Sequence, residues 1–236
     1  MPKPEITKRF EEKIEKDAEK GIYRIKIPFR DEMIPMDVYP TVFPPSSEHS
    51  ISSKILYTSL GEVRGKKILE IGSGTGITSI ICAKLGAEHV DAVDVSKEAV
   101  LCTQNNVLLN NQEDIVSVFE SDIFSNVLQK KYDLIIANLP ILNLETNNES
   151  NITKALYDPG LKLHKELFSK AHRYLSEGGL IILTHANLLS KDTSTPMADF
   201  TELESLLSES GLSVISKVSQ DELGYTWICY NLGIQM

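Results

Sequence analysis

From residue 66 onward, short apolar runs alternate with segments of helical periodicity, and no other feature of the sequence restricts the fold as much. The runs fall at 67–71, 90–95, 115–119, 134–137 and 180–184, with helical segments at 77–85, 97–110, 161–175 and 200–210. Apolar runs of this length suit strands covered on both faces. Their alternation with helices implies right-handed crossovers and a mostly parallel sheet flanked by helices. Two last strands, 213–218 and 225–231, are joined by a connection at 219–224 that is too short for a helix. They should pair as an antiparallel hairpin ending the sheet. The N-terminal part reads differently. Residues 1–20 mix basic and acidic side chains around Ile6, Phe10 and Ile14, a spacing that predicts a surface helix with one docking stripe. Residues 23–27 and 34–38 predict a hairpin with its connection at 29–33, and three prolines in 39–48 forbid regular structure there. The chain thus divides into a helix, hairpin and proline-rich lid over 1–50 and an α/β domain over 51–236. Residues 143–154, polar and rich in Asn, read as a long loop.

Charge and cysteine content narrow the partners. Thirty-three acidic residues against 24 basic give a net charge of −9, a field that repels polyanions at long range and disfavours duplex nucleic acid. No run reaches the roughly 18–20 apolar residues of a membrane-spanning helix, and the N-terminus lacks the apolar core of a secretory signal. A soluble, cytoplasmic chain with no membrane partner is expected. Cys82, Cys102 and Cys229 form an odd set without C-x-x-C spacing, so they read as buried free thiols and no metal site is expected.

The chemistry is concentrated after the first of these strands, in Glu70-Ile-Gly72-Ser73-Gly74-Thr75-Gly76. Glycine at 72, 74 and 76 lets the chain turn tightly and lets a ligand lie against bare backbone, at the strand edge where open α/β sheets bind ligands. Asp94 falls at the end of the second strand, where a carboxylate accepts hydrogen bonds from both hydroxyls of a ribose. A dinucleotide loop would carry a third glycine near position 77, where this chain has Ile77. Glu70 beside the loop instead suits a ligand bearing an amino group and positive charge.

Glu-x-Gly-x-Gly-x-Gly resembles the cofactor loop of class I S-adenosylmethionine-dependent methyltransferases, over roughly residues 66–232. The resemblance implies a Rossmann-like seven-stranded α/β sheet with an antiparallel terminal hairpin, here carrying a small N-terminal extension. It implies S-adenosylmethionine as cofactor and S-adenosylhomocysteine as product. Glu70 and residues Gly72, Ser73, Gly74, Thr75 and Gly76 would line the methionine moiety, Asp94 and Val95 the ribose, and Asp122 and Ile123 the adenine. Asn138-Leu139-Pro140-Ile141 ends the fourth strand and is similar to the Asn-Pro-Pro-aromatic motif of release-factor glutamine methyltransferases and adenine N6 enzymes. In that motif an Asn side-chain oxygen and a backbone carbonyl hold a planar NH₂ in line with the methyl group. Asn138 and Pro140 are therefore the expected catalytic residues, with Asn138 also beside the cofactor. The segment 42–48, Val-Phe-Pro-Pro-Ser-Ser-Glu, and the loop 155–161 resemble release-factor enzymes, while 83–86 and 136–139 resemble ribosomal protein L11 methyltransferases. Both families methylate protein nitrogen.

Two departures bear on the acceptor. Leu139 replaces the first Pro of the motif, and Ile141 replaces the ring that would stack on a planar substrate, a contact of about 1–3 kcal/mol in base-stacking sites. Tyr157 is a candidate to supply that ring. A hydroxyl or carboxylate acceptor would instead call for a base, with His185, His49 and His164 as candidates. The expected acceptor is a nitrogen of a protein or peptide side chain. The alternatives are small-molecule N- or O-methylation, a cofactor-binding protein without catalysis, and an NAD-dependent dehydrogenase.

Overall fold

The computed structural model describes residues 5–46, 50–145, 155–188 and 198–235, and only the backbone of residues 5–7, 10, 13, 14, 198 and 199. The side chains of Ile6, Phe10 and Ile14, and His49, therefore lie outside the described residues. Helix α1 (Glu5–Ala18) leads into strands β1 (Tyr23–Phe29) and β2 (Glu32–Val38), followed by α2 (Ile51–Thr58). Five parallel strands come next: β3 (Lys67–Ile71), β4 (His89–Asp94), β5 (Val116–Glu120), β6 (Tyr132–Ala137) and β7 (Leu175–Ala186). Helices α3 (Ile77–Lys84), α4 (Lys97–Leu109), α5 (Lys162–Lys170) and α6 (Ala198–Glu209) lie between or after them. The antiparallel pair β8 (Leu212–Glu222) and β9 (Tyr225–Ile234) completes a seven-stranded sheet of order β5-β4-β3-β6-β7-β9-β8.

Strand β3 is an interior strand of the sheet, and four of its five residues are buried. Its side chains alternate between two cores. Ile68 joins one with Leu134 and Ile182, while Leu69 and Ile71 join the other with Ile135 and Leu183. Both faces are thus covered, which is why these strands read as continuous apolar runs. The chain moves outward from β3 through β4 to β5, then returns to start β6 on the other side. That reversal opens a crevice between the carboxyl ends of β3 and β6.

Element bounds differ from expectation where local signals are weak. The first hairpin closes in a two-residue turn, with Phe29 opposite Glu32 and Arg30 at φ 51°. The terminal hairpin also closes in two residues, Leu223 and Gly224, both at positive φ. Strand β8 continues to Glu222 through Ser-Gln-Asp-Glu because it is an edge strand whose side chains are mostly exposed. Helix α5 is shorter than the 161–175 periodicity predicts; it gives way to a 3₁₀ turn at Ala171–Arg173. Helix α2 was not expected at all. Ser50 caps it by accepting from the Ser53 N–H at 3.2 Å, and Ile51, Ile55 and Leu56 are buried as it packs on β7 and β9. The three cysteines are free and buried, as expected.

The first hairpin packs with the sheet. Ile27, Ile34 and Met36 belong to the same core as Ile68 and Leu134. Arg24 grips Asp37 through two contacts of 2.6 and 2.9 Å, and Asp37 in turn accepts from Asn105 on α4. Deeper on α4, Asn106 accepts from the Asp37 N–H at 2.7 Å and donates to its carbonyl at 2.8 Å. The segment after β2 is thereby delivered to the mouth of the crevice.

Candidate active site

A cavity of about 300 Å³ occupies the crevice. Its cofactor-side wall is the glycine loop, tied to β4 by bonds from the Gly72 and Ser73 N–H groups to the Val93 carbonyl at 2.8 and 2.9 Å. Gly72, Gly74 and Gly76 have φ of 75°, 55° and 81°, but for different reasons. A Cβ on Gly72 or Gly74 would stand in open space, so bare backbone faces the cavity there. A Cβ on Gly76 would meet Thr103 Cγ2 at 2.7 Å. Gly76 does not line the cavity; it lets the start of α3 approach α4. Thr103 donates to the Gly74 carbonyl at 2.9 Å and lies 3.0 Å from the Ser73 hydroxyl, while Asn106 donates to the Thr75 carbonyl at 2.9 Å. Sequence reading did not single out these two loop-holders. Their only trace is a pair of polar residues three apart, on a helix face that tertiary packing turns inward. Gly76→Ala is expected to destabilise the fold by about 2–4 kcal/mol, through the positive φ and the clash. Thr103→Ser in the same chain should recover part of that loss in a denaturant titration, because it removes the clashing methyl group and keeps the hydroxyl.

Glu70, read as a partner for positive charge, is 4% exposed and bound to α3. Its Oε2 accepts from the Ser79 N–H at 3.0 Å and from the Ser79 hydroxyl, closing the open N-terminus of that helix beneath the loop. Burial pushes its pKa from 4.5 to about 7, against the opposing bonds from Ser79 and Thr78. The folded state therefore holds this proton more tightly than the unfolded chain does. The resulting stability is full below pH 4.5 and is lost as pH rises towards 7, a change of order 3 kcal/mol if unshared. Glu70→Gln is expected to flatten that decline in melting temperature between pH 5 and 8; an unchanged slope would acquit Glu70.

Asp94 ends β4 with its Oδ2 accepting from the Gly74 N–H and its Oδ1 from the Ser96 N–H, both at 2.9 Å. Burial raises its pKa, opposed by these amides and that of Val95. Even with three amides bound, the carboxylate keeps acceptor capacity for a further donor. Val95 beside it is 61% exposed and lines the cavity, as do Asp122 and Ile123. The turn after β5 is held by Ser121, which donates to the Ile123 carbonyl and accepts from the Asn126 N–H.

The opposite wall carries Asn138 and Pro140, both lining the cavity just past β6. Asn138 donates from Nδ2 to Ser53 at 3.1 Å and accepts at Oδ1 from the Thr184 hydroxyl at 2.6 Å. Leu139 and Ile141 line the same wall. Tyr157 does not line the cavity: it is buried, and its hydroxyl donates to Glu11 at 3.2 Å. The rings present are Phe43, from the proline-rich segment, and Trp227, whose Nε1 donates to the Glu222 carbonyl at 3.2 Å. His164 and His185 do not line the cavity either. Both are buried with ring centroids 5.5 Å apart, His164 Nδ1 lies 2.7 Å from Asp158 Oδ2, and His185 packs on Phe200. Sequence reading missed Ser53, Thr184, Phe43 and Trp227, which come from four separate elements.

Among the described residues the lining includes no Lys, Arg or His, and its three acids, Glu70, Asp94 and Asp122, lie on the glycine-loop side. Two bare glycines facing open space and a carboxylate with acceptor capacity to spare fit S-adenosylmethionine, which carries a diol, an amino group and a sulfonium charge. Among the described residues no cluster of potential metal ligands occurs.

Comparison with known proteins agrees with this geometry. The model of the methyltransferase small domain family matches residues 38–216. A provisionally named protein N5-glutamine methyltransferase of Methanocaldococcus jannaschii is 35% identical over 164 residues, covering 66% of this chain and 78% of that protein. A ribosomal protein L11 methyltransferase of Desulforamulus reducens is 44% identical over 75 residues, but the match covers 32% of this chain and only 24% of that protein. Among solved structures, the Thermus thermophilus 16S rRNA N2 G1207 methyltransferase with AdoMet and guanosine superimposes with a TM-score of 0.63 at 18% identity. That match covers 91% of this chain and 51% of the other and shows a shared fold. With the seven-stranded sheet, the glycine loop and the carboxylate that ends β4 all in place, the chain belongs to the methyltransferase small domain family, enzymes that use S-adenosylmethionine.

Proposed function

We propose that this protein transfers a methyl group from S-adenosylmethionine to a side-chain nitrogen of a protein or peptide, with the glutamine carboxamide as first candidate. The observation that carries the reading is Asn138, set with Pro140 at the carboxyl end of β6 across the crevice from the glycine loop. Among the described residues its wall of the cavity offers hydrogen-bonding groups and apolar surface but no titratable side chain. A lysine ammonium must lose a proton before attack, whereas a carboxamide nitrogen is already neutral. The Methanocaldococcus relative, whose name specifies N5-glutamine, points to the same acceptor.

The bound cofactor supplies an activated methyl group on a good leaving group. The chain supplies position and electrostatics. The Gly72–Gly74 backbone and Asp94 would orient the donor, with Val95 beside its ribose and Asp122 and Ile123 around its base. Asn138 Oδ1 would accept from the acceptor NH₂ and favour the positive charge that develops on nitrogen. Phe43 and Trp227 stand in for the missing ring of the motif as flat surfaces against a planar group. Residues 1–50 would form one wall through Thr41, Val42, Phe43 and Pro45, and the loop that ends at 155–156 the facing wall. Net charge −9, and a lining without cations among the described residues, argue against nucleic acid as acceptor.

The test is methyl transfer from labelled S-adenosylmethionine to blocked tripeptides of sequence Ala-X-Ala, with X glutamine, asparagine or lysine. Label on glutamine alone is expected. Label on lysine alone, or only on a metabolite fraction offered in parallel, would overturn the assignment.

A further inference from the structure

An asparagine side chain turns about a broad, two-fold torsion, and its two ends are chemically opposite. An Asn that must offer a lone pair to an incoming NH₂ therefore has to be kept from presenting its own NH₂ instead. In this protein both ends of Asn138 are engaged. The 2.6 Å contact with Thr184 suits a hydroxyl donating to a carbonyl oxygen, and the 3.1 Å contact with Ser53 suits an amide N–H donating to a hydroxyl. The two partners are themselves fixed. Thr184 is completely buried in β7, where its residue pairs with Cys229 of β9. Ser53 lies in the first turn of α2, its hydroxyl 2.5 Å from that of the capping Ser50.

We infer that Ser53 and Thr184 are positioning residues that clamp the Asn138 amide in one orientation for the acceptor. The inference rests on the reading of Asn138 as the acceptor-orienting group. With Thr184 filling one lone pair of Oδ1, the other remains for an acceptor N–H, and Ser53 prevents the half-turn that would replace it with a donor. The clamp is assembled from parts distant in sequence: β6 brings Asn138, β7 brings Thr184, and α2 brings Ser53. It also explains why α2, which contributes no group expected from the family motifs, borders the cavity with Ser50, Ser52 and Ser53.

The side-chain amide of Asn138 can be observed directly by ¹⁵N NMR of the full chain with S-adenosylhomocysteine, its signal pair identified by loss in Asn138→Ala. Hydrogen exchange of that NH₂ should accelerate by about tenfold in Ser53→Ala, in line with one lost hydrogen bond, and revert in Ser53→Thr. Thr184→Val should shift the same signals, and Thr184→Ser should restore them. With the glutamine tripeptide, kcat should fall about tenfold in Ser53→Ala and about a hundredfold in Thr184→Val, the scale of a displaced orienting group. The Kd for S-adenosylhomocysteine, by calorimetry, should hold in both. Unchanged shifts and exchange in Ser53→Ala, or failure of the conservative variants to restore them, would overturn the clamp. The NMR measurement needs no acceptor, so a tripeptide that stays unmethylated would count against the glutamine reading and leave the clamp to be judged by exchange alone.

Discussion

Asn138→Ala is expected to lower kcat for methyl transfer by about 10²–10³-fold, the range seen when one preorganised polar group is removed from a developing charge. The binding of S-adenosylmethionine should weaken far less, because the contacts proposed for the cofactor lie on the glycine loop and Asp94. The alanine also strands the buried Thr184 hydroxyl, so a loss of about 1–3 kcal/mol in stability should accompany the kinetic effect. Asn138→Asp separates the two. It retains an acceptor for Thr184 but cannot donate to Ser53, and its charge would attract a cationic amine more than a neutral carboxamide. Single-turnover rates at saturating cofactor, measured beside thermal melts, distinguish chemistry from stability. Wild-type turnover in Asn138→Ala would remove this residue from the mechanism.

The second large effect is expected at Asp94. Hydrogen bonds to a charged acceptor contribute about 1.5–3 kcal/mol each, and a ribose diol offers two. Asp94→Ala should therefore weaken S-adenosylmethionine and S-adenosylhomocysteine by about a hundredfold or more. Part of the loss comes from the loop, since the Gly74 and Ser96 amides lose their acceptor at the same time. Asp94→Asn keeps the shape but exchanges one acceptor for a donor, and should fall between alanine and wild type. Calorimetric titration with both ligands, using NAD(H) as control, tests this. Equal binding by wild type and Asp94→Ala would mean that the diol lies elsewhere.

The parts of this fold that were legible in the sequence are those in which one segment carries its own signal. Strand β3 was readable because a strand buried on both faces must be apolar at nearly every position, and its neighbours share that constraint. The glycine loop was readable because positive φ at 72, 74 and 76 leaves little choice of residue. Helix α2 escaped notice because eight residues span barely two turns, and its polar cap, Ser50, merges with the irregular segment before it. The last turns of β8 were hidden for the opposite reason: an edge strand tolerates polar side chains, so Ser-Gln-Asp-Glu resembled a loop.

The sequence by itself determined the sheet, the glycine loop and the acidic residue that ends β4 beside it, because each follows from local periodicity or backbone sterics. Tertiary structure alone decided what the site's residues do to one another. Gly72 and Gly74 face open space while Gly76 faces a threonine methyl group, although all three share one motif. Glu70 turns to the α3 N-terminus, and His164 and His185 sink into the core. The rings lining the cavity come from residues 43 and 227, and the two hydroxyls on Asn138 from residues 53 and 184. No local pattern encodes such meetings, because the strand order that brings these segments to one crevice is settled only when the whole sheet closes around its core.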